Sequence, residues 1–485
     1  MNCPHCRSTV ADTDTLCPTC GYSFTPHLDD ELVDAALAAF DDARLETVLA
    51  SKPVIDNVDA YIERGIELVK SGDLDAAIEQ FNLAIQLQPT ATRALNNRGF
   101  AFVQQGHFEQ AIADFERTLQ IEPSYPAAHN NLGYAYLAAE NYEQAIASFD
   151  RAIKSNPKTT MAYLNRGFAF ASLNRYEDAI RDFDRSIELD PSHPNAYQNR
   201  GAAFLAEGEF DSALGDFDRS IQLRPEYAVA YYNRGFVRMT LGEHDAAMQD
   251  LHEATRLQPD MADAYYLRGD IHRAQNEFDE AITSHSEALI YNPDHALAFH
   301  HRGETHFHVG AFDEAVVDFT ELIRINPDIP AGYNNRGLAL AAKNEHEQAI
   351  DDFSKAIELD SAYAHAYNNR GASYLALHET EKAIVDHLES LRLGLAMAEA
   401  YNNFARLWAT VDDPDLREGK LAIELATEAC GLSNWEDWSC LRTLAAACSE
   451  CNRPEEAIRW AELALSLAPD HGRDLCQQDL ELYRT

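Results

Sequence analysis

Between Cys20 and Cys430 the chain has no cysteine, and nowhere does it carry a run of 18 apolar residues. The second absence leaves no segment suited to cross a bilayer as a helix, which needs about 20 such residues. Positive charge is scarce too: 39 lysines and arginines stand against 80 aspartates and glutamates, a formal net charge of −41. Such a field repels nucleic-acid backbones and anionic membrane surfaces and attracts basic partners. No charged and then apolar leader opens the sequence, which begins Met1-Asn2-Cys3-Pro4, so a cytoplasmic location is expected. Also missing are a nucleophile elbow, a phosphate loop and a dinucleotide fingerprint. The chain is therefore expected not to be an enzyme.

The nine cysteines fall into two groups, four in the first twenty residues and five from Cys430 onward. Cys3-Pro4-His5-Cys6 and Cys17-Pro18-Thr19-Cys20-Gly21 form a C-x2-C…C-x2-C pair. Four thiolates at that spacing can surround Zn²⁺ tetrahedrally, and because they close its coordination shell the zinc would be structural. A redox dithiol or disulfides are the alternatives. The two turns resemble the knuckles of a zinc ribbon. Their flank is acidic (Asp12, Asp14, Asp29, Asp30, Glu31), which argues against nucleic-acid binding. Cys448-Ser449-Glu450-Cys451 is also C-x2-C, but it lies in helical sequence where a cysteine serves as a small apolar core residue.

At 485 residues the chain exceeds what one compact core can fill. A repeat escapes that limit. Glycine recurs every 34 residues at 65, 99, 133, 167, 201, 235, 269, 303, 337 and 371. Twelve residues after each stands an alanine, and four further on, in seven units, a phenylalanine: Phe81, Phe115, Phe149, Phe183, Phe217, Phe319 and Phe353. Proline closes eight units, from Pro89 to Pro327. Apolar residues in each unit fall at helical spacing in two runs parted by a polar turn, so each unit is expected to be a helical hairpin. Its small residues allow close approach of the two helices, and the aromatic is expected to fill the gap toward the next unit.

The period, the glycine, the aromatic three residues on (Phe102, Tyr136, Phe170, Phe204), the alanine, the phenylalanine and the proline together resemble the tetratricopeptide repeat (TPR). The resemblance covers residues 58–471. It implies an all-α, right-handed superhelical TPR solenoid of about 12 helical hairpins, preceded by the small zinc-ribbon-like module. The domains are expected at 1–26 (zinc-ribbon-like module), 27–57 (capping and linker helix), 58–397 (ten regular units), 398–471 (two divergent units) and 472–485 (C-terminal cap). The residue before the glycine, usually leucine in the family, is arginine at 64, 98, 166, 200, 234, 268, 302, 336 and 370. In seven of those nine units an aspartate follows 16 residues later, whereas Leu132 is followed by Ser148. This covariation predicts an Arg–Asp pair between the two helices of a unit.

In the family the first helix of each hairpin lines the concave side. Two residues before the glycine stand Asn97, Asn131, Asn165, Asn199, Asn233, Asn335 and Asn369, and Asn403 stands likewise before Ala405, which replaces the glycine. An amide both donates and accepts, so such a row can pair with a peptide backbone regardless of its side chains. Helices pack about 8–10 Å apart and an extended chain advances about 3.3 Å per residue, so one asparagine could serve about every third residue. The competing reading is that each asparagine bonds a neighbouring helix. Phe100, Tyr134, Phe168 and Phe236 are expected beside the same surface. The row breaks at Leu267 and His301, the second beside His295, His300, His306 and His308. His301, Glu304 and His308 share a helix face and form a conceivable divalent-metal set; a polar, pH-sensitive patch is the simpler reading.

The function expected is a protein–protein interaction scaffold that binds extended, basic peptide segments of partner proteins in an acidic, asparagine-lined groove, with no nucleic acid or membrane as partner. Two alternatives are a nucleic-acid-associated adaptor acting through the ribbon, and a non-catalytic subunit of a glycosyltransferase-like or other multiprotein assembly. Some long asparagine-ladder arrays precede a glycosyltransferase domain, but only about 14 residues follow the last repeat here.

Overall fold

The computed structural model describes residues 57–484 apart from 126, 395–397 and 411–416. The four-cysteine module, with its zinc ligands Cys3, Cys6, Cys17 and Cys20, and the helix expected before the first repeat lie outside these residues. Among the described residues there are 25 α-helices and no strand. They form twelve successive hairpins, from Val58–Lys70 and Leu74–Leu87 to Trp438–Glu450 and Pro454–Leu467, followed by a last single helix, Asp470–Tyr483. Two compact units divide the array, one reaching Leu267 and the other beginning at Arg268. Within each, hairpins stack on their sequence neighbours.

The hairpin Thr160–Ser172 and Tyr176–Leu189 shows how the repeat sequence makes its structure. Its first helix ends where Asn174 adopts a left-handed conformation (φ 58°), and the amides of Asn174 and Arg175 return to the carbonyls of Ala171 and Phe170. That closure needs a residue tolerant of positive φ; at the same place in a later hairpin Gly208 has φ 79°. The second helix buries Ala179, Asp182, Phe183 and Ser186, the spacing of one helical face. It stops at Asp190, whose extended backbone leads into Pro191, a residue that cannot continue a helix.

The repeated glycine permits the closest contact in the hairpin. A Cβ placed on Gly167 would lie 2.7 Å from Cε1 of Phe183, well inside van der Waals contact. Gly99 stands in the same relation to Phe115, and Gly337 to Phe353. The aromatic, expected to face the next unit, thus lays its ring edge on the glycine of its own hairpin. Each ring is fully buried, which stabilises by about 1.5–3 kcal/mol. Three hairpins depart from phenylalanine, placing Leu251, His285 and His387 opposite Gly235, Gly269 and Gly371.

The C-terminal hairpins keep this logic with other residues. Cys430, Cys440, Cys448 and Cys476 are buried in one apolar cluster with Leu441 and Leu444, and Trp435 stacks on Trp460 at 5.2 Å. The final helix seals the array by burying Cys476 and Leu480 and pairing Asp479 with Arg442.

Candidate functional site

In seven hairpins the arginine before the glycine spans the helix pair as its spacing predicts. In all seven hairpins with the matching aspartate, Nε and Nη2 form a two-pronged grip on the carboxylate, as for Arg200 and Asp216 at 2.7 Å each. The others are Arg98–Asp114, Arg166–Asp182, Arg234–Asp250, Arg302–Asp318, Arg336–Asp352 and Arg370–Asp386. Where leucine replaces arginine, Ser148 turns to the Gln144 carbonyl instead. In the Arg166–Asp182 pair burial is the largest influence on both partners. It raises Asp182 despite the guanidinium, while the bonds Arg166 donates to Asp182 and Asp150 outweigh it and hold that side chain charged.

The sequence did not reveal the third arm. Nη1 of the same arginine reaches back 16 residues to the second helix of the preceding hairpin: to Asn82, Asp150, Asp184, Asp218, Ser286, Thr320 or Ser354. The guanidinium also lies over rings on its own helix, 5.7 Å from Tyr197 and 5.8 Å from Phe204 for Arg200, a contact favoured by the ring quadrupole. A short polar residue directly after the core aromatic was the available signal.

The asparagine row separates into two kinds of site. Asn97, Asn131, Asn165 and Asn403 are 5, 8, 3 and 9 % exposed, whereas Asn199, Asn233, Asn335 and Asn369 are half-buried. Asn131 donates to Oδ1 of Asn96 at 3.1 Å, and Asn369 donates to Oδ1 of Asn334 at 2.9 Å. Both bonds join one hairpin to the one before. They reveal a second row, three residues before the glycine: Asn96, Asn130, Gln198, Asn334, Asn368 and Asn402, all buried. Asn402 donates onward to Ser439. By contrast, the amides of Asn199 and Asn233 are engaged by no other described residue. Of the rings expected beside this surface, Phe100, Tyr134, Phe168 and Phe236 are all buried.

The histidines do not meet as a single cluster. His308 packs on the Phe278 ring at 4.6 Å, whereas ligand atoms of His300, His301 and Glu304 lie within 4.8 Å of one another. His306 contacts Asp318 at 2.9 Å, and His295 caps its helix by accepting from the Ala298 amide. His300 meets Glu304 at 3.2 Å, and Arg273 meets the same carboxylate at 2.6 Å. Burial raises the Glu304 carboxyl, but the His300 bond and the His300, His301 and Arg273 charges bring it down to about 2. His301 turns away to Asp270, where it lies 2.6 Å from Oδ1, and His285 lies 3.3 Å from the same oxygen. Neither Asp270 nor His285 stood out in the sequence, though His285 replaces the phenylalanine its position carries in seven units.

In the C-terminal hairpins, burial pushes the thiols of Cys430 and Cys440 up to about 12 and that of Cys448 to about 11. A protonated thiol is a poor nucleophile and metal ligand, so these cysteines act as apolar filling.

Family models for the tetratricopeptide repeat match residues 96–158, 130–194, 164–228, 199–251 and 232–285, and those for the TPR repeat match 65–106, 269–310 and 337–377. Among solved structures, a tetratricopeptide repeat protein from Parabacteroides merdae is 23% identical, covering 51% of this chain and 98% of that one, with a TM-score of 0.42. The APC/C hetero-tetramer Cut9-Hcn1 is 12% identical over 89% of this chain and 97% of that one, with a TM-score of 0.49. YrrB, described as a TPR protein with an unusual peptide-binding site, is 23% identical over 39% of this chain and 97% of that one, with a TM-score of 0.34. No curated protein matches the chain.

Proposed function

The chain belongs to the tetratricopeptide-repeat family, and from that premise we propose that it is a non-catalytic scaffold that holds extended, basic segments of partner proteins against the first helices of its hairpins. The observation that carries this reading is the pair of unengaged, half-exposed amides of Asn199 and Asn233, at equivalent places on successive first helices. Such amides can donate to and accept from a peptide backbone. The net charge of −41 favours a basic partner. Asn335 and Asn369 offer weaker anchors because Asn334 already engages both, Asn131 joins its hairpin to the one before through Asn96, and Asn97, Asn165 and Asn403 are buried. The zinc-ribbon-like cysteines Cys3, Cys6, Cys17 and Cys20 would add a structural module to this scaffold.

The test is a random-peptide display library panned on the full chain, followed by calorimetry of the recovered peptides. Basic peptides are expected. Replacing Asn199 and Asn233 together by alanine should weaken them about tenfold, since each amide bond contributes about 0.5–1.5 kcal/mol net, with the melting temperature unchanged. Recovery of acidic peptides alone, or unaltered affinity in the double variant, overturns the proposal.

A further inference from the structure

Two departures from the repeat and one carboxylate converge on one point. After the glycine, a variable position that holds Phe168, Ala202 and Phe236 in the hairpins before and Glu304 and Leu338 in those after, the helix Ala262–Ala274 carries Asp270. At the core aromatic position, the helix Phe278–Tyr291 carries His285, whose side chain is 0 % exposed. At the asparagine position, the helix Ala296–His308 carries His301. The close approach at Gly269 sets the ring of His285: a Cβ there would lie 2.4 Å from Nε2. That nitrogen is 3.3 Å from Oδ1 of Asp270, and Nδ1 of His301 is 2.6 Å from the same oxygen. One ligand atom from each of the three residues can be chosen so that all lie within 4.8 Å of one another.

We propose that Asp270, His285 and His301 form a binding site for a divalent transition-metal cation of the Zn²⁺ class. Two imidazoles and a carboxylate are a donor set suited to such ions. Bonds of about 2.0–2.1 Å to a tetrahedral ion set ligand atoms about 3.3 Å apart, the separation already present between Asp270 and His285. The shorter Asp270–His301 contact is a hydrogen bond whose proton the ion replaces, and those two atoms then part by about 0.7 Å on the same geometric basis. Asp270 and His301 keep 14 and 12 % of their side-chain surface exposed, which gives the ion a way in past the sealed His285. Arg273, the competing cation, gives its nearer bond to Glu304 at 2.6 Å and stands 3.9 Å from Asp270. His300, whose ring centre is 5.3 Å from that of His301, is tied to Glu304 and buttresses the site from outside. The same carboxylate and imidazoles without an ion would leave a desolvated polar triad where most hairpins place a phenylalanine opposite the glycine and an asparagine two residues before it, and packing alone gives no reason to bring a carboxylate against both imidazoles.

Titration of the full chain with Co²⁺ separates this site from the cysteine module by colour. Nitrogen and oxygen ligation gives ligand-field bands alone, whereas thiolate ligation adds intense near-ultraviolet charge transfer. One equivalent of the first kind is expected. His285→Phe, which restores the residue of the neighbouring hairpins, and His301→Asn, which restores the asparagine row, should each weaken it about a hundredfold or more, because each removes a direct ligand. His308→Ala should leave it unchanged. If His285→Phe lowers the melting temperature, His301→Asn alone decides. Absence of the nitrogen and oxygen signal in the parent chain, or its persistence in His301→Asn, overturns the proposal.

Discussion

His387 shows how much a single substitution in the repeat can matter. It occupies the cavity that phenylalanine fills in most hairpins, neither ring nitrogen has a hydrogen-bond partner, and burial, aided by the charge of Arg406, lowers its pKa to about 4. The unfolded chain, with an ordinary histidine near 6.5, therefore binds the proton more tightly than the folded one. Stability is full above pH 6.5 and is lost as the pH falls toward 4, by about 3 kcal/mol over the whole interval. His387→Phe should remove this loss: the two chains are expected to melt alike at pH 7.5, with the variant about 2 kcal/mol more stable at pH 5. Parallel melting profiles across that range would show that the imidazole is not held neutral by burial. The 34-residue period gave the glycine and the aromatic, but not that the ring rests on the glycine of its own hairpin, since spacing alone had turned it toward the next unit. The cost of putting an imidazole there was not legible either, because it depends on the partners of two ring nitrogens.

At the scale of the helix pair, the arginine seam was the feature read most fully from the sequence. Covariation between the residue before the glycine and the one 16 places later revealed that the two side chains touch, since the Leu132 hairpin loses both members together. Arg200→Leu should destabilise by leaving the buried Asp216 carboxylate unpaired, and Asp216→Ser should recover part of the loss when added to it. Denaturant melts of both single variants and the double are expected to give a coupling of about 1–3 kcal/mol; strict additivity would contradict the observed two-pronged bond. The backward arm to Asp184 escaped notice because its partners vary among Asp, Asn, Ser and Thr. A guanidinium donor accepts any short oxygen-bearing side chain there, so no one residue type is repeated. The split of the asparagine row into buried and half-buried members was illegible for a related reason. Helical spacing locates a residue on a face, but whether its amide meets solvent or the neighbouring asparagine depends on how closely successive hairpins stack.

For the whole molecule, stability built from neighbouring hairpins separates the folding of the array from that of the cysteine module. Purified chain is expected to carry about one equivalent of Zn²⁺ on Cys3, Cys6, Cys17 and Cys20, lost on changing Cys3 and Cys17 to serine with little change in helical circular dichroism. Metal analysis that finds no zinc released by this change in freshly reduced protein would remove the module's metal. The helical class and the number of hairpins were legible because one period governs them. The metal proposed at Asp270, His285 and His301 was not, since its ligands come from three helices and each histidine looks, taken alone, like an ordinary lapse in the repeat.

The three-armed arginine has a consequence for how such an array can grow or shrink. Each guanidinium reads one oxygen 16 residues ahead and another 16 residues behind, so in the first unit Arg200 links Asp184 to Asp216 and Arg234 links Asp218 to Asp250. Excising a 34-residue block that carries Arg200 and Asp216 brings Arg234 to the place Arg200 held, with Asp184 behind it and Asp250 still ahead. The junction is then chemically the same as the one removed. The seam acts as a coupling of standard gauge, by which a gene that gains or loses whole repeats yields a chain whose remaining hairpins still interlock.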